Sequence, residues 1–496
     1  MVVENIAPAL ANLADPFVIF LMVSGVLLGI IMGSIPGMTA TMTIAVLLSF
    51  TFTMDPAHGM MLLLGIYGGA VYSGSIPAIL IRTPGTPSAA ATLFDGHPLS
   101  KKGEAGRAIR VSTVASFIGG VISVLALMFF SPVIASAALE FRSPEFFALA
   151  IFGLTIIASV SGDSITKGMV SGLLGMLVAT VGIDPITGFH RFTFELPMLL
   201  TGVEFIAVMI GLFGIAEGLR KYSQGISGDE KKDAQEMSGA LPSLSDLKSI
   251  APVSVGSGVL GAFIGSIPGA GGDIAAFITY NEATRWIKDA VPAFGDGNIR
   301  GVAAAESGNN ASTGGALIPT LTLGIPGDSV SAILIGALMV HDINPGPGLY
   351  QEEPELLYTI FVGFLLIYIF ILIFGLLGAN YWARLINIPA SHIWPVILVL
   401  CVIGSVALRG NLFDAWIMLG AGVLGYAMRL RGFPLAPMVL GLILAPIAEV
   451  NLRRSLVLSG GSLDIFYTSP IALIVLLMSV ASIAVPAIRS VRGQSS

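Results

Sequence analysis

The chain has 496 residues, of which 55% are hydrophobic and only 11% charged, well below the roughly 25% charged residues of an ordinary soluble domain. A formal net charge of -6, with no basic stripe interleaved with aromatic residues, excludes nucleic acid as a partner. The single cysteine, Cys401, lies in an apolar run and excludes a disulfide framework or a thiolate metal site.

Apolar stretches of about 20 residues, enough to cross a bilayer as helix, recur from Phe17 to Ile488 and amount to about 12 crossings. The expected fold class is therefore an all-α polytopic membrane protein. Glu4 and Asp15 precede the first span and no Lys or Arg occurs before Arg82. That is unlike the basic start of a cleavable signal peptide, so the first span is expected to stay.

In chain order, residues 17–35 read as a span ending at Pro36-Gly37, and Thr39 to Phe52 is short for a full crossing, which suits a half-helix. Gly25, Gly29 and Gly33 share one helix face and invite a closely packed neighbour. The segment Met60 to Ile81 is expected to be interrupted at Gly68-Gly69 and at Ser73-Gly74-Ser75-Ile76-Pro77. After Arg82 and Pro84-Gly85, a new helix is expected near Thr86-Pro87-Ser88, where a hydroxyl cap and an early proline are ordinary helix-start chemistry. Lys101, Lys102, Arg107 and Arg110 form a basic loop. The polar stretch from Arg220 to Lys248 divides the chain into a first repeat, 1–219, a linker, 220–250, and a second repeat with further spans, 251–496. Both basic segments are expected in the cytoplasm by the positive-inside rule. Arg429-Arg431, Arg453-Arg454 and the tail pair Arg489 and Arg492 cannot all join them if both intervening segments cross fully.

The second half repeats the first. Gly33-Ser34-Ile35-Pro36-Gly37 returns as Gly265-Ser266-Ile267-Pro268-Gly269, an offset of 232 (265 minus 33), and Gly29 returns as Gly261. Ile76-Pro77 with Pro84-Gly85 returns as Ile318-Pro319 with Pro326-Gly327, an offset of 242 (318 minus 76). Matching helix breaks in two hydrophobic halves point to a binding site near the membrane midplane of a duplicated transporter, and the two repeats are expected to be inverted. Ahead of Ile318 runs Glu306-Ser307-Gly308-Asn309-Asn310-Ala311-Ser312-Thr313-Gly314-Gly315, which no stable lipid-facing helix would choose.

A broken membrane helix leaves amide donors at one fragment end and carbonyl acceptors at the other, in a medium with little water to satisfy them. The four breaks, Pro36-Gly37, Pro84-Gly85, Pro268-Gly269 and Pro326-Gly327, are expected to line a substrate site. Thr39, Thr41, Thr86 and Ser88 follow the first two and supply hydroxyls suited to an anion. Arg82 has two readings, a counter-ion for an anionic substrate or a side chain snorkelling from a span end. Asp273 and Asp328 follow the second pair. They are either structural N-caps or, with Asn309 and Asn310, ligands for a coupling cation. His97 and His341 have no partner at metal-ligand spacing and read as loop residues.

At these residues the chain resembles the large membrane subunit of the tripartite tricarboxylate transporters, the TctA type. The resemblance runs over essentially the whole chain, through Gly33 to Gly37, Tyr72 to Pro77, Thr83-Pro84-Gly85-Thr86-Pro87, Ser307 to Asn310 and Gly324 to Asp328. It implies a multi-pass subunit of the bacterial inner membrane that works with a small membrane subunit of the TctB type and a periplasmic solute-binding protein of the TctC type. It also implies uptake of organic carboxylates such as citrate, driven by a sodium or proton gradient and with no other cofactor. No Walker-type Gly-Lys-Ser or Gly-Lys-Thr is present. Two other classes compete. An intramembrane hydrolase needs a nucleophile with a base, or metal ligands, and the chain has no His-Glu-x-x-His and no serine plainly paired with a histidine. A channel could also be built from paired re-entrant segments, but it would equilibrate its solute without accumulating it.

Overall fold

The computed structural model describes residues 2–160, 164–184, 186–223, 241–387, 390–407 and 409–493, so most of the expected linker, 224–240, lies outside the described residues. Among the described residues the regular structure is helical apart from a short antiparallel hairpin that pairs Gly182 with Arg191 and Ile183 with His190. Among the described residues six helices are long and apolar enough to cross a bilayer, and six further apolar helices run 10–17 residues. The elements around the breaks are α1 (Pro16–Gly33), α2 (Ala40–Leu47), α3 (Pro56–Ser73), α4 (Ala105–Ala138), α5 (Leu244–Gly265), α6 (Gly271–Trp286), α7 (Ile299–Leu323), α8 (Ser329–Val340), α9 (Pro354–Trp382) and α10 (Ala436–Leu458).

Local chemistry sets the helix starts. Asp15 and Asp55 cap α1 and α3 by accepting from the amides of Phe17 at 2.8 Å and Ala57 at 3.0 Å, each with proline in the first turn. Ser243 and Asp246 form a capping box at α5. The ends of α1 and α5 coincide with the repeated motif, and Gly37 (φ +88°) and Gly269 (φ +83°) turn the chain through the left-handed region that glycine adopts without strain.

Small residues then allow close packing. Gly33 lies over Ala70 so tightly that a Cβ would come 2.9 Å from Ala70 Cα, and a Cβ on Gly265 would come 2.6 Å from Ser312 Cα. These contacts stand at the same two offsets as the sequence motifs, 232 (265 minus 33) and 242 (312 minus 70). Pair α1–α3 and pair α5–α7 thus pack through equivalent positions. Without a hydrophobic drive between helices in lipid, this backbone approach supplies the van der Waals contact that holds them.

The halves interlock. Helix α4 lies along α5 and α7, and α9 lies along α1 and α3. Gly119 of α4 meets Ser307 and Gly120 meets Tyr368, while Gly375 of α9 meets Thr113. Ascending numbers on α9 thus meet descending ones on α4, so these two long helices run antiparallel. Arg107 holds Asp246 at 2.5 Å at the starts of α4 and α5. Asn12 donates to Glu355 at 2.8 Å where α1 and α9 begin. Consequently α1 and α5 start from opposite ends of the bundle.

Three local readings change. Near Thr86-Pro87-Ser88 only the short 3-10 turn Ser88–Ala90 forms, with no side-chain cap, and the next α-helix starts at Leu93. Gly68-Gly69 does not interrupt its helix, because Gly69 fits against Val26 and Gly29 of α1, and the helix passes almost directly into Ser75–Ile81 before breaking at Arg82. The polar run from Glu306 to Gly315 is helical within α7, and every residue from Gly301 to Thr322 is buried, so protein and not lipid covers it. Arg429 and Arg453 lie at opposite ends of the stretch joined by α10. Large apolar side chains such as Phe129, Val133, Leu377 and Trp416 are at least 60% exposed and form the lipid-facing surface.

Candidate functional site

A cavity of about 770 Å³ lies where the four breaks meet. The turn after each break contributes to its wall, namely Thr39 to Thr41, Thr86 to Ser88, Gly269 to Ile274, and Asp328 to Val330. Asn309, Ser312 and Thr313 of the polar α7 face complete one side. A larger space of about 1240 Å³ lies further along α8 and α10, lined by Arg191, Glu204, Arg409, Glu449 and Arg454. The repeated motifs converge on the smaller one.

Hydrogen bonds across the cavity join the two halves. Gly269 donates its amide to the carbonyl of Gly327 at 2.7 Å and so ties the two second-half breaks together. Thr41 and Ser329 share a hydroxyl contact of 3.0 Å. Tyr67 donates to Asp328 at 2.5 Å, and Asp273 lies close to the backbone of Ser88. Asp328 is a true N-cap, with its carboxylate on the Ser331 amide at 2.7 Å. Asp273 is not a cap, since it stands third in α6 with Ala270 at the N-cap position. Thr39 caps α2 through the Met42 amide at 3.2 Å, and Thr86 contacts the Ser88 hydroxyl at 3.0 Å.

Of the residues singled out in the sequence, Thr39, Thr41, Thr86, Ser88, Gly269, Asp273, Asn309 and Asp328 reach the cavity wall. Pro36, Pro84, Pro268 and Pro326 with Gly37, Gly85 and Gly327 shape the turns behind it and do not line it. Gly85, for example, donates to the Gly74 carbonyl at 3.0 Å. Asn310 is buried on the far side of α7, where it donates to Ser116 at 2.8 Å. Arg82 is exposed with φ of 57°, capping the end of Ser75–Ile81 outside the cavity wall, so the structure places it at a span end.

The cationic groups of the cavity are two arginines that the sequence pattern assigns elsewhere. Arg220 and Arg429 line it, and Glu217, with its side chain only 5% exposed, pairs with both, with Arg429 at 2.5 Å. Among the described residues this cluster sets two guanidinium charges against one carboxylate, and guanidinium groups are suited to carboxylate binding. In sequence Arg220 reads as the first linker residue, and Arg429 enters only as part of a basic pair weighed for membrane orientation. The signal that could have found them is Glu217, an acid set between apolar residues three positions before Arg220. Tyr67 likewise reads as one aromatic among others in an apolar span.

A cavity lined by both cationic and acidic groups and set among broken helices fits a polytopic membrane protein of the transport class. The chain belongs to the tripartite tricarboxylate transporter TctA family, whose model it matches over residues 19–440. It is 36% identical over 470 residues, 95% of this chain and 93% of the relative, to an uncharacterized 52.8 kDa protein in the TAR-I ttuC' 3' region of Agrobacterium vitis. A second protein of that organism, uncharacterized and in the TAR-II ttuC' 3' region, is 35% identical over 237 residues, 47% of this chain and 98% of the relative. No solved structure matches. Family membership makes this a multi-pass transport subunit of the bacterial inner membrane and not an enzyme. Among the described residues no cluster of three or more His, Cys, Asp or Glu is arranged to hold a metal ion.

Proposed function

We propose that the chain is the large subunit of a binding-protein-dependent secondary transporter for organic carboxylates of the citrate class, driven by a sodium or proton gradient. The observation that carries this reading is the polarity of the cavity. Arg220 and Arg429 line it together with Asp273 and Asp328, so the cavity offers opposite charge to a carboxylate and to a coupling cation. Thr39, Thr41, Thr86 and Ser88 add neutral hydrogen-bonding groups between them. The acidic wall, with Asn309, supplies hard oxygen ligands for the coupling ion.

On this reading the chain consists of two inverted repeats, 1–219 and 251–496, joined by the 220–250 linker, with about 12 membrane segments once half-helices are included. The equal packing offsets of Gly33 on Ala70 and Gly265 on Ser312, and the opposite starts of α1 and α5, support it. The larger cavity shares α8 and α10 with the smaller, so the two form successive chambers of one route. A small membrane subunit and a periplasmic binding protein complete the system. The small subunit covers part of the apolar surface that otherwise faces lipid, and the binding protein captures dilute substrate.

The test is counterflow of radiolabelled citrate, malate and succinate in proteoliposomes containing this chain and both partner subunits. Exchange of at least one, saturable and dependent on the binding protein, is expected. Full micromolar uptake by the purified chain alone would overturn the tripartite reading, and downhill equilibration without accumulation would favour a channel.

A further inference from the structure

We propose that Glu306 is a proton-carrying site of the transport cycle, separate from the Asp273 and Asp328 wall. The inference rests on the transporter reading above and adds to it the chemical identity of one coupling ion. Glu306 is 0% exposed in the middle of the molecule and takes part in no ion pair among the described residues. Its contacts are hydroxyls. Thr92 donates to Oε1 and Ser116 to Oε2 at 3.4 Å.

Among the described residues none of the ionisable groups around it forms an ion pair or hydrogen bond with it. From α3, Tyr72 shares a hydroxyl bond with Thr113 at 2.8 Å. Arg110 of α4 donates to the Gly106 carbonyl at 3.2 Å, and its Nε is buried without a partner. Asp95, on the helix Leu93–Lys101, accepts from Tyr280 of α6 at 2.9 Å and from the Asn298 amide at 2.7 Å, and His97 of that helix contacts the Ile79 carbonyl at 3.2 Å. Tyr368 of α9 bonds Thr313 at 2.7 Å. Asp273 lies in the first turn of α6, and the ionisable groups of α5, Asp246 and Lys248, stand in its first turns, with Arg107 on Asp246. An isolated carboxylate is expensive to bury without an opposite charge, and a bound proton discharges it. The same network contains an acceptor with no donor, since Asn310 gives its amide hydrogens to Ser116 and to the Glu306 carbonyl while its Oδ1 is buried and unpartnered. A carboxyl proton on Oε2 releases the Ser116 hydroxyl from donating to that oxygen.

Position links this proton to the substrate. Thr92 belongs to the short segment that also carries Thr86 and Ser88 on the cavity wall, and its bond to Glu306 fastens that first-half segment to α7 of the second half. On the same helix Asn309 and Thr313 face the cavity. Ionisation of Glu306 turns every hydroxyl of its cage into a donor, and protonation frees one to accept. The two states therefore hold the 86–92 segment differently. The chemistry is proton binding alone, carboxylate plus proton to carboxyl, with no other bond made or broken.

Glu306→Gln keeps the size of the side chain and its hydrogen-bonding ability, so a purely structural tie survives it. In proteoliposomes holding the complete three-component system, with citrate, malate and succinate as probes, acid outside should drive accumulation and alkalinise the external medium. Glu306→Gln should retain counterflow within about twofold and lose pH-driven accumulation at least tenfold. Infrared difference spectra of the reconstituted chain, taken between acid and alkaline buffer without substrate, should show a titrating carboxyl band that Glu306→Gln removes. Unchanged pH-driven accumulation in the variant, wild-type accumulation that follows sodium and ignores pH, or an unchanged carboxyl band would each overturn the proposal. Absence of counterflow in the wild type would instead overturn the carboxylate-transporter reading, and the infrared measurement would still decide whether Glu306 binds a proton.

Discussion

Tyr67 donates its hydroxyl to the Asp328 carboxylate at 2.5 Å, a bond between a helix of the first half and the break of the second. The other carboxylate oxygen caps α8 on the Ser331 amide. One aspartate thus serves as helix cap, bridge between halves and part of the cavity wall.

These roles separate by substitution. Asparagine caps helices about as well as aspartate, so Asp328→Asn should leave the protein folded and inserted while removing the charge offered to a coupling cation. Gradient-driven accumulation should then fall by an order of magnitude or more, with thermal stability in detergent close to wild type. Tyr67→Phe deletes only the bridge and leaves the cap. Loss of a hydrogen bond to a charged group costs about 1.5–3 kcal/mol, visible as a lower midpoint in thermal unfolding. Unaltered ion dependence in Asp328→Asn would reduce Asp328 to a cap.

The arginine pair gives a second outcome. Arg220→Ala or Arg429→Ala removes a charged donor to substrate, and the same range of about 1.5–3 kcal/mol corresponds to about a 10- to 150-fold rise in half-saturation concentration. Glu217→Gln retains both arginines but unfastens them, so its effect on half-saturation should be smaller than either alanine. Thr86→Ala, which removes a neutral hydrogen bond, should cost about 0.5–1.5 kcal/mol. Uptake kinetics across this series rank the groups. Equal half-saturation in wild type and both arginine variants would remove the anion site from this wall.

How much of the site is legible in the sequence follows from the type of signal. Breaks declare themselves because proline cannot continue the helix hydrogen bonding and glycine permits the left-handed turn that follows, and hydroxyls and acids just after them reach the cavity wall. Arg220 and Arg429 carry no such mark. An arginine near a helix end looks the same whether it faces solvent or a cavity, and only tertiary packing of Glu217 between the two distinguishes them. Arg82 has two readings in sequence, and its left-handed backbone, capping a helix end outside the cavity wall, fits the one at a span end. Counting spans by length also breaks down at α7, whose 25 residues carry Glu306, Asn309 and Asn310. Hydropathy measures contact with lipid, and that helix has protein on every side.

The helix pairs offer a third measurement. A Cβ on Gly261 would come 2.7 Å from Gly308 Cα, backbone that cannot move without parting α5 from α7. Gly261→Leu should therefore cost at least the 1–3 kcal/mol of ordinary overpacking and reduce the yield of monodisperse protein after detergent extraction. Gly420, where an added Cβ would meet nothing within 4 Å, should accept alanine without loss in the same assay. Equal yields from both variants would argue against close packing of α5 on α7.

The last prediction concerns acid. Asp184, beside the hairpin, accepts from the Thr187 amide at 2.9 Å and the Ile186 amide at 2.8 Å, and pairs with Arg453 at 2.9 Å. These amides, and then the guanidinium, hold its carboxyl well below the usual carboxylate range. A folded-state pKa below the unfolded one makes a stabilising contribution that is fully present above the ordinary aspartate value of about 3.9. It is lost as pH falls through the depressed folded value. The region around Gly182 to Arg191 should accordingly stay protected in hydrogen exchange from neutral pH down to about pH 4, and open progressively below it. Asp184→Asn can still accept from the amides but lacks the charge that Arg453 and Arg191 meet, so its protection should be weaker at neutral pH and change less on acidification. A wild-type hairpin whose protection, corrected for intrinsic exchange, stays constant down to about pH 2, below the unfolded aspartate range, would show that Asp184 does not hold it.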